Sequence, residues 1–174
     1  MKRMGFNHID LATNDMVATR AFYEGILGFP VVRADLIELE AGGYSQHVFF
    51  DCGGGQMIAF ASAEKAPGRW PADLDTSINK GLGLRTPVYH FAFEAGSLED
   101  LEAMKAELEA KGVAVRGVED HEGWCRSIYF VDPNGLQMEY CWLSRELTEE
   151  DATPTVRFRV SREGKKLPAM PAGA

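Results

Sequence analysis

The sequence predicts an α+β fold made of two copies of one unit, each a strand, a helix and three further strands. Three observations predict it. The chain has 174 residues, 45 % of them hydrophobic, enough for one compact domain with its own core. The apolar spacing passes from alternation to helical period and back to alternation, and does so twice. Two stretches, NHIDLAT at 7–13 and VYHFAFEA at 88–95, open the copies with a histidine near the start of each.

In the first copy, the alternation of NHIDLAT predicts a strand, and Asn14 or Asp15 caps the helix that follows. Phe22, Tyr23, Ile26 and Leu27 line one side of that helix and Gly28 stops it. VVRADLIEL (31–39), HVFFD (47–51) and QMIAFA (56–61) read as strands, the last two joined by a Cys-Gly-Gly-Gly turn. The second copy begins with VYHFAFEA and continues with a helix capped by Ser97. Leu98, Leu101, Met104 and Leu108 lie at helical spacing, and Gly112 ends it. VAVRGVED (113–120), CRSIYFVD (125–132) and LQMEYCWL (136–143) follow as strands, the last two closed by a Pro-Asn-Gly turn. Superposing the copies sets His8 on His90 and Ala59 on Glu139.

These units predict a single domain over 1–143, with module one at about 5–61, a connection at 62–87 and module two at 88–143. The connection is rich in Gly, Pro and polar residues, so it is either a linker or a functional lid, with Trp70 available to cover a pocket. Residues 144–174 form a C-terminal extension with an acidic LTEED patch, a late strand TVRFRV and an Ala/Pro/Gly ending expected to be disordered. It is a segment that a partner subunit could receive.

A net charge of -8 and a pI near 5.0 argue against nucleic acid and anionic membrane surfaces as partners. The basic start lacks an apolar leader segment, and no stretch has the length to span a bilayer, so a cytoplasmic protein is expected. Cys52, Cys125 and Cys141 are an odd number without CxxC spacing, which fits core thiols in a reducing compartment.

Two histidines and one glutamate from three strands are a donor set for a divalent metal that leaves other coordination positions open. A single histidine in an apolar strand is more often a hydrogen-bonded core residue. Glu139 is harder to explain that way, because between Met138 and Tyr140 it falls in a core or a cavity. A buried unpaired carboxylate costs several kcal/mol. A metal relieves that cost, and so would Arg116 or Arg126.

These residues resemble the vicinal oxygen chelate superfamily of glyoxalase I, extradiol dioxygenases, fosfomycin-resistance and bleomycin-binding proteins. The resemblance covers about residues 5–143. It rests on NHIDLAT, AFYEGILGFPVV, YHFAFEA and, most specifically, SIYFVDPNGLQMEY. It implies two βαβββ modules forming a cup-shaped incomplete barrel, with a metal on His8, His90 and Glu139. It also implies Fe(II) in preference to Mn, Zn, Ni or Co, and a small-molecule substrate held through vicinal oxygens. Glyoxalase I resembles this pattern with a fourth ligand at the place of Ala59, which alanine cannot supply, so the three-ligand, extradiol-type dioxygenase acting on a catechol-like substrate is favoured.

Tyr129 matches a tyrosine that binds the diol in such enzymes, and His121 matches, within one residue, a nearby histidine; both are candidate catalytic residues. Gln56 takes the place of the usual proton-shuttling histidine, which leaves His121 or His47 for that task or a different reaction. The alternatives are a redox-neutral isomerase, epimerase or lyase, and a non-catalytic binding protein whose cup is lined by Trp70, Trp124, Phe49 and Phe93. A homodimer is expected, since exposed sheet edges and the late strand are available for pairing.

Overall fold

The computed structural model describes residues 5–62, 65, 68, 70–71, 73–84, 88–154, 159–161 and 165–167. The first module runs β1 (His8–Thr13), α1 (Met16–Arg20), β2 (Val31–Glu38), β3 (Tyr44–Gly53) and β4 (Gln56–Ser62). A short α2 (Ile78–Gly81) lies in the connection. The second module runs β5 (His90–Glu94), α3 (Leu98–Ala110), β6 (Arg116–His121), β7 (Cys125–Val131) and β8 (Gln137–Leu143). Each module forms one open four-stranded mixed sheet, in the orders β1-β4-β3-β2 and β5-β8-β7-β6. The first strand pairs in parallel with the last, and the other pairings are antiparallel. This is the expected α+β pair of βαβββ units with unclosed sheets.

The caps form as the sequence predicts, and at the first helix the choice falls on Asp15, whose side chain accepts from the Ala18 N–H. Ser97 accepts from the Asp100 N–H at the start of α3. The first helix is not a single α-helix to Gly28. After Arg20 it widens into a π-helical segment, Ala21–Ile26, with the Leu27 N–H bonded to the Phe22 carbonyl at 2.9 Å. The wider turn lets the consecutive Phe22 and Tyr23 both face the core. Strand β3 starts three residues before the predicted His47, because Tyr44–Gln46 continue the ladder with β2. Strand β6 begins at Arg116, three residues after the predicted Val113, and its pairing with β7 is irregular between Arg116 and Glu119.

One core holds both modules together. Val48, Phe50, Ile58 and Phe60 from the first sheet share it with Ile128, Phe130, Met138 and Tyr140 from the second, and with Phe22, Tyr23, Leu101 and Leu108 from the helical segments. Tyr23 is fully buried. Its ring packs on Phe50 and Phe60, and its hydroxyl donates to Asp132 at 3.0 Å and lies 3.7 Å from the Met138 sulfur. The Lys111 ammonium donates to the Ile26 carbonyl, linking the ends of the two helical segments.

The Asp-Pro-Asn-Gly turn takes part in this union. Asp132 accepts from the backbone N–H groups of Asn134 and Leu136 and from the Asn134 amide, and that amide also donates to Thr19. Burial pushes the Asp132 carboxyl up, while these hydrogen bonds and that of Tyr23 pull it back. Gly135 has φ +75°, and a Cβ there would stand 2.8 Å from the Ser77 Cβ, so only glycine fits.

Of the late strand, only Arg159–Val160 (β9) is described, paired with Lys166–Leu167 (β10). Residues 155–158 and the 168–174 ending lie outside the described residues. No described helix is long and apolar enough to cross a membrane. The expectation of three core thiols holds for Cys125; Cys52 and Cys141 are half-buried.

Candidate metal centre

Alternation along each strand decides what the sheets show on the side away from the core. With Met138 and Tyr140 in the core, Glu139 and Cys141 take the other face, and with Ile128 and Phe130 in the core, Ser127 and Tyr129 do the same. On the first sheet, the corresponding positions are His47 and Phe49 on β3 and Met57, Ala59 and Ala61 on β4. The histidine-bearing face of each sheet is therefore the face turned away from the shared core.

On the second sheet, Glu139 is 5 % exposed, and its Oε2 lies 3.1 Å from His90 Nε2. His90 sits at the start of β5, where strand pairing sets Ala92 opposite Glu139, so a small side chain leaves room for the imidazole and the carboxylate to meet. The other ring nitrogen, Nδ1, is 3.2 Å from the Val88 carbonyl. A carbonyl can only accept, so when Nδ1 donates to it a neutral His90 keeps its lone pair on Nε2, although the Glu139 carboxylate also draws a ring proton toward that nitrogen. Two acceptors, Nε2 and an ionised carboxylate, then face each other at 3.1 Å. A proton or a cation between them removes the repulsion, and a histidine that donates its second N–H to a backbone carbonyl is oriented as metal-ligating histidines are. Imidazole and carboxylate are donor types that a divalent ion takes.

The arginines offered by the sequence do not neutralise Glu139. Arg116 pairs with Glu119 and lies over the Tyr129 ring at 4.5 Å, and Arg126 is 3.5 Å from Asp120. Tyr129 stands directly across the ladder from Glu139, and its hydroxyl is 2.8 Å from His121 Nε2. Burial, and after it the Glu139 charge, pushes the phenol up to about 12, so at neutral pH it is a hydrogen-bond donor. The Ser127 hydroxyl on the same face is buried without a hydrogen-bond partner among the described residues. Burial pushes the neighbouring Cys125 thiol up to about 12 as well, which makes it a poor nucleophile.

The structure thus brings His90 to Glu139 and Tyr129 to His121. His8 lies on the first sheet, exposed, with Nδ1 2.8 Å from Asn7 Oδ1 and its ring edge against Phe49 at 5.6 Å. Among the described residues, no group of three or more His, Cys, Asp or Glu side chains is placed to hold a metal ion. The three donors do not converge within one chain.

Sequence reasoning missed one constellation. His47 Nε2 lies 3.2 Å from Asp10 Oδ1, and the His47 ring packs on Phe49 at 4.4 Å. Strand parity puts Asp10 on the same face as His8, but pairing it with His47 requires knowing that β4 lies between β1 and β3 and carries only Ala59 and Ala61 at the crossing.

Together, these features define a class: α+β proteins of two βαβββ modules whose sheet faces carry imidazole and carboxylate donors. The chain belongs to the Glyoxalase/Bleomycin resistance protein/Dioxygenase superfamily, whose family model matches residues 5–140. It is 30 % identical over 168 residues to 3-methylcatechol 2,3-dioxygenase of Pseudomonas putida, an alignment covering 95 % of this chain and 50 % of that protein. The chain thus spans about half the length of this curated relative.

Among solved structures, a glyoxylase/bleomycin resistance protein/dioxygenase domain from Frankia sp. EAN1pec is similar with a TM-score of 0.61 and 18 % identity, covering 82 % of this chain and 99 % of that one. A fosfomycin resistance protein from Listeria monocytogenes gives 0.57 and 22 %, covering 87 % and 100 %. Lactoylglutathione lyase from Agrobacterium tumefaciens gives 0.56 and 22 %, covering 82 % and 96 %. At these identities, the three structures speak for the fold alone.

Proposed function

We propose that this chain is an extradiol-type dioxygenase that opens the ring of a catechol-like substrate, with Fe(II) held by His90, Glu139 and His8. The observation that carries the reading is the buried carboxylate facing the lone pair of an oriented imidazole at 3.1 Å. A bound divalent ion supplies Lewis-acid polarisation of the two substrate oxygens and, as iron, an affinity for dioxygen. Glu139 and His90 hold it on the second sheet. Tyr129, kept protonated, donates a hydrogen bond to an ionised diol oxygen, and His121 holds the phenol in place. The name of the Pseudomonas putida relative supports a catechol as substrate.

Because His8 stands apart from the other two donors, the reading includes a homodimer, in a reducing cytoplasm, in which His8 of a second copy completes the centre. A redox-neutral lyase or isomerase is the second reading, favoured by Gln56, an amide that cannot titrate where a proton carrier is wanted.

Anaerobic purification followed by elemental analysis tests the centre. About one metal per chain, lost in Glu139→Ala, is expected, and with iron bound, oxygen uptake on catechol and 3-methylcatechol. Zinc, nickel or manganese without oxygen uptake would favour the second reading. The composite site has its own test, since mixing inactive His8→Ala and Glu139→Ala proteins should restore activity through hybrid dimers that retain one intact centre.

A further inference from the structure

The outer strands of the two sheets are guarded differently. In the second sheet, the outer strand β6 is interrupted between Arg116 and Glu119, a break of the kind that blunts an edge against further pairing. In the first sheet, the outer strand β2 runs for eight residues, VVRADLIE, and its ladder with β3 is regular from Arg33 to Glu38. Val32, Leu36 and Ile37 are exposed on it, and it contains neither lysine nor proline, the residues that commonly protect such an edge.

Hydrogen bonding determines which backbone groups of β2 are open. The Leu39 N–H bonds to the Gly43 carbonyl, so by the alternation of an antiparallel pair the odd-numbered residues of β2 from Arg33 onward face β3. Strand β3 agrees, because its even-numbered residues turn the other way. The Tyr44 N–H donates to the Lys65 carbonyl and the Gln46 N–H to the Ser62 hydroxyl. Ala34 and Leu36 therefore present their N–H and C=O groups outward, where no strand lies beside β2 among the described residues.

The side chains on this edge are their own complement. Pairing β2 with an antiparallel copy centred on Ala34 sets Arg33 opposite Asp35 and Asp35 opposite Arg33, with Val32 opposite Leu36 and Val31 opposite Ile37 at the flanks. Ala34 then exchanges two N–H···O=C bonds with its counterpart, and the charges fall at non-hydrogen-bonded positions, where side chains approach most closely. Other registers fail. Centring on Arg33 or Asp35 sets like charges opposite each other, and centring on Val32 or Leu36 sets both charges opposite apolar residues. Arg33 and Asp35 already share one face of the strand, Nε to Oδ2 at 2.7 Å.

We propose that β2 is an isologous contact between two copies of this chain, joining their first sheets edge to edge with β2 beside β2 at the two-fold axis. Strands β1 and β2 are opposite edges of that sheet, so this contact is separate from the one that brings His8 to a second copy. It does not depend on the metal-dependent reading.

Sedimentation equilibrium of the full chain tests the contact. Ala34→Pro removes an outward N–H, which an edge strand tolerates, and should halve the mass of the assembly. Arg33→Asp and Asp35→Arg each set two like-charged pairs across the axis and should raise the dissociation constant by about 100-fold. Mixing these two charge variants should restore association, because each chain then meets the opposite charge at both positions. A wild type that is monomeric at every concentration would overturn the proposal. So would a mass that none of the three variants changes, or a mixture that stays dissociated. Metal content on the same samples should be the same in Ala34→Pro as in wild type, and its loss together with the assembly would show that β2 is not a separate contact. A wild type without metal ends the metal-dependent reading and leaves the β2 contact standing. Thermal unfolding identifies a misfolded Ala34→Pro, in which case the two charge variants and their mixture decide.

Discussion

The two sheets are built on one plan and carry opposite solutions at its centre. The second buries a carboxylate on its middle strand, flanked by small or hydroxylated neighbours, and places His90 against it. The first puts alanine on the middle strand and moves its carboxylate and an imidazole to the flanks. The difference shows that position in the sheet decides what a carboxylate can contact. A carboxylate on the middle strand is enclosed on both sides and benefits from a cation, whereas one on the edge strand β1 is half in water and is free to orient a histidine instead.

The largest expected effect comes from reversing this difference at its source. Glu139→Gln keeps shape and hydrogen-bonding atoms but removes the charge. It should weaken metal binding by roughly 10³-fold, about 4 kcal/mol, a fair share of what a few protein ligands contribute to a bound divalent ion. Calorimetric titration with Zn(II) reads this, and unchanged affinity would mean that the second sheet is not the metal half-site.

The turns of the two modules should differ next. Asp132 is buried and ties its hairpin to Tyr23 as well as to its own turn, so Asp132→Ala is expected to destabilise the fold by about 3 kcal/mol. Asp51 makes one turn contact, to the Gly53 N–H, and its alanine variant should cost less than about 1 kcal/mol. Urea midpoints decide the comparison, and equal losses would show that the Asp132 network does not join the modules.

Copying the second module's design into the first should fail. Ala59→Glu would bury a carboxylate beside Asp10, where like charges repel, and about 2 kcal/mol of stability should be lost. If the variant is instead as stable as wild type and binds a second metal, the two faces are interchangeable and the contrast drawn here is wrong.

The smallest effect concerns Tyr129. Its phenol is raised to about 12, above the ordinary 10 of an unfolded tyrosine. The sign is that of an acid held in its neutral form, so its contribution to stability is complete below pH 10 and is lost as pH rises from 10 towards 12. Absorbance of the phenolate should show one late-titrating tyrosine missing from Tyr129→Phe. Glu139→Gln should bring its midpoint down, since the Glu139 charge is a cause of the shift second only to burial. Tyr129→Phe should retain its metal and lose substrate affinity by about tenfold.

Much of this was legible in the chain itself. The duplicated order of elements, a first cap at Asn14 or Asp15 and a second at Ser97, the Gly28 and Gly112 stops, and the equivalence of His8 with His90 and of Ala59 with Glu139 follow from periodicity, capping chemistry and repeat alignment, all of which are local or nearly so. That Glu139 needs a counterpart was likewise visible, because a charge between two apolar strand residues has few options. The π-helical turn after Arg20 was not, since it forms to bury Phe22 and Tyr23 together in a core that both modules build.

Nor could local sequence choose among His90, Arg116 and Arg126 as the neighbour of Glu139, or find Asp10 beside His47. Those outcomes depend on which strands lie side by side and in what register. Only tertiary structure also determines that His8 lies on a different sheet from Glu139. Sequence specifies each strand's alternation, but the order β1-β4-β3-β2, the small residues at the crossings and the sharing of one core decide which side chains meet.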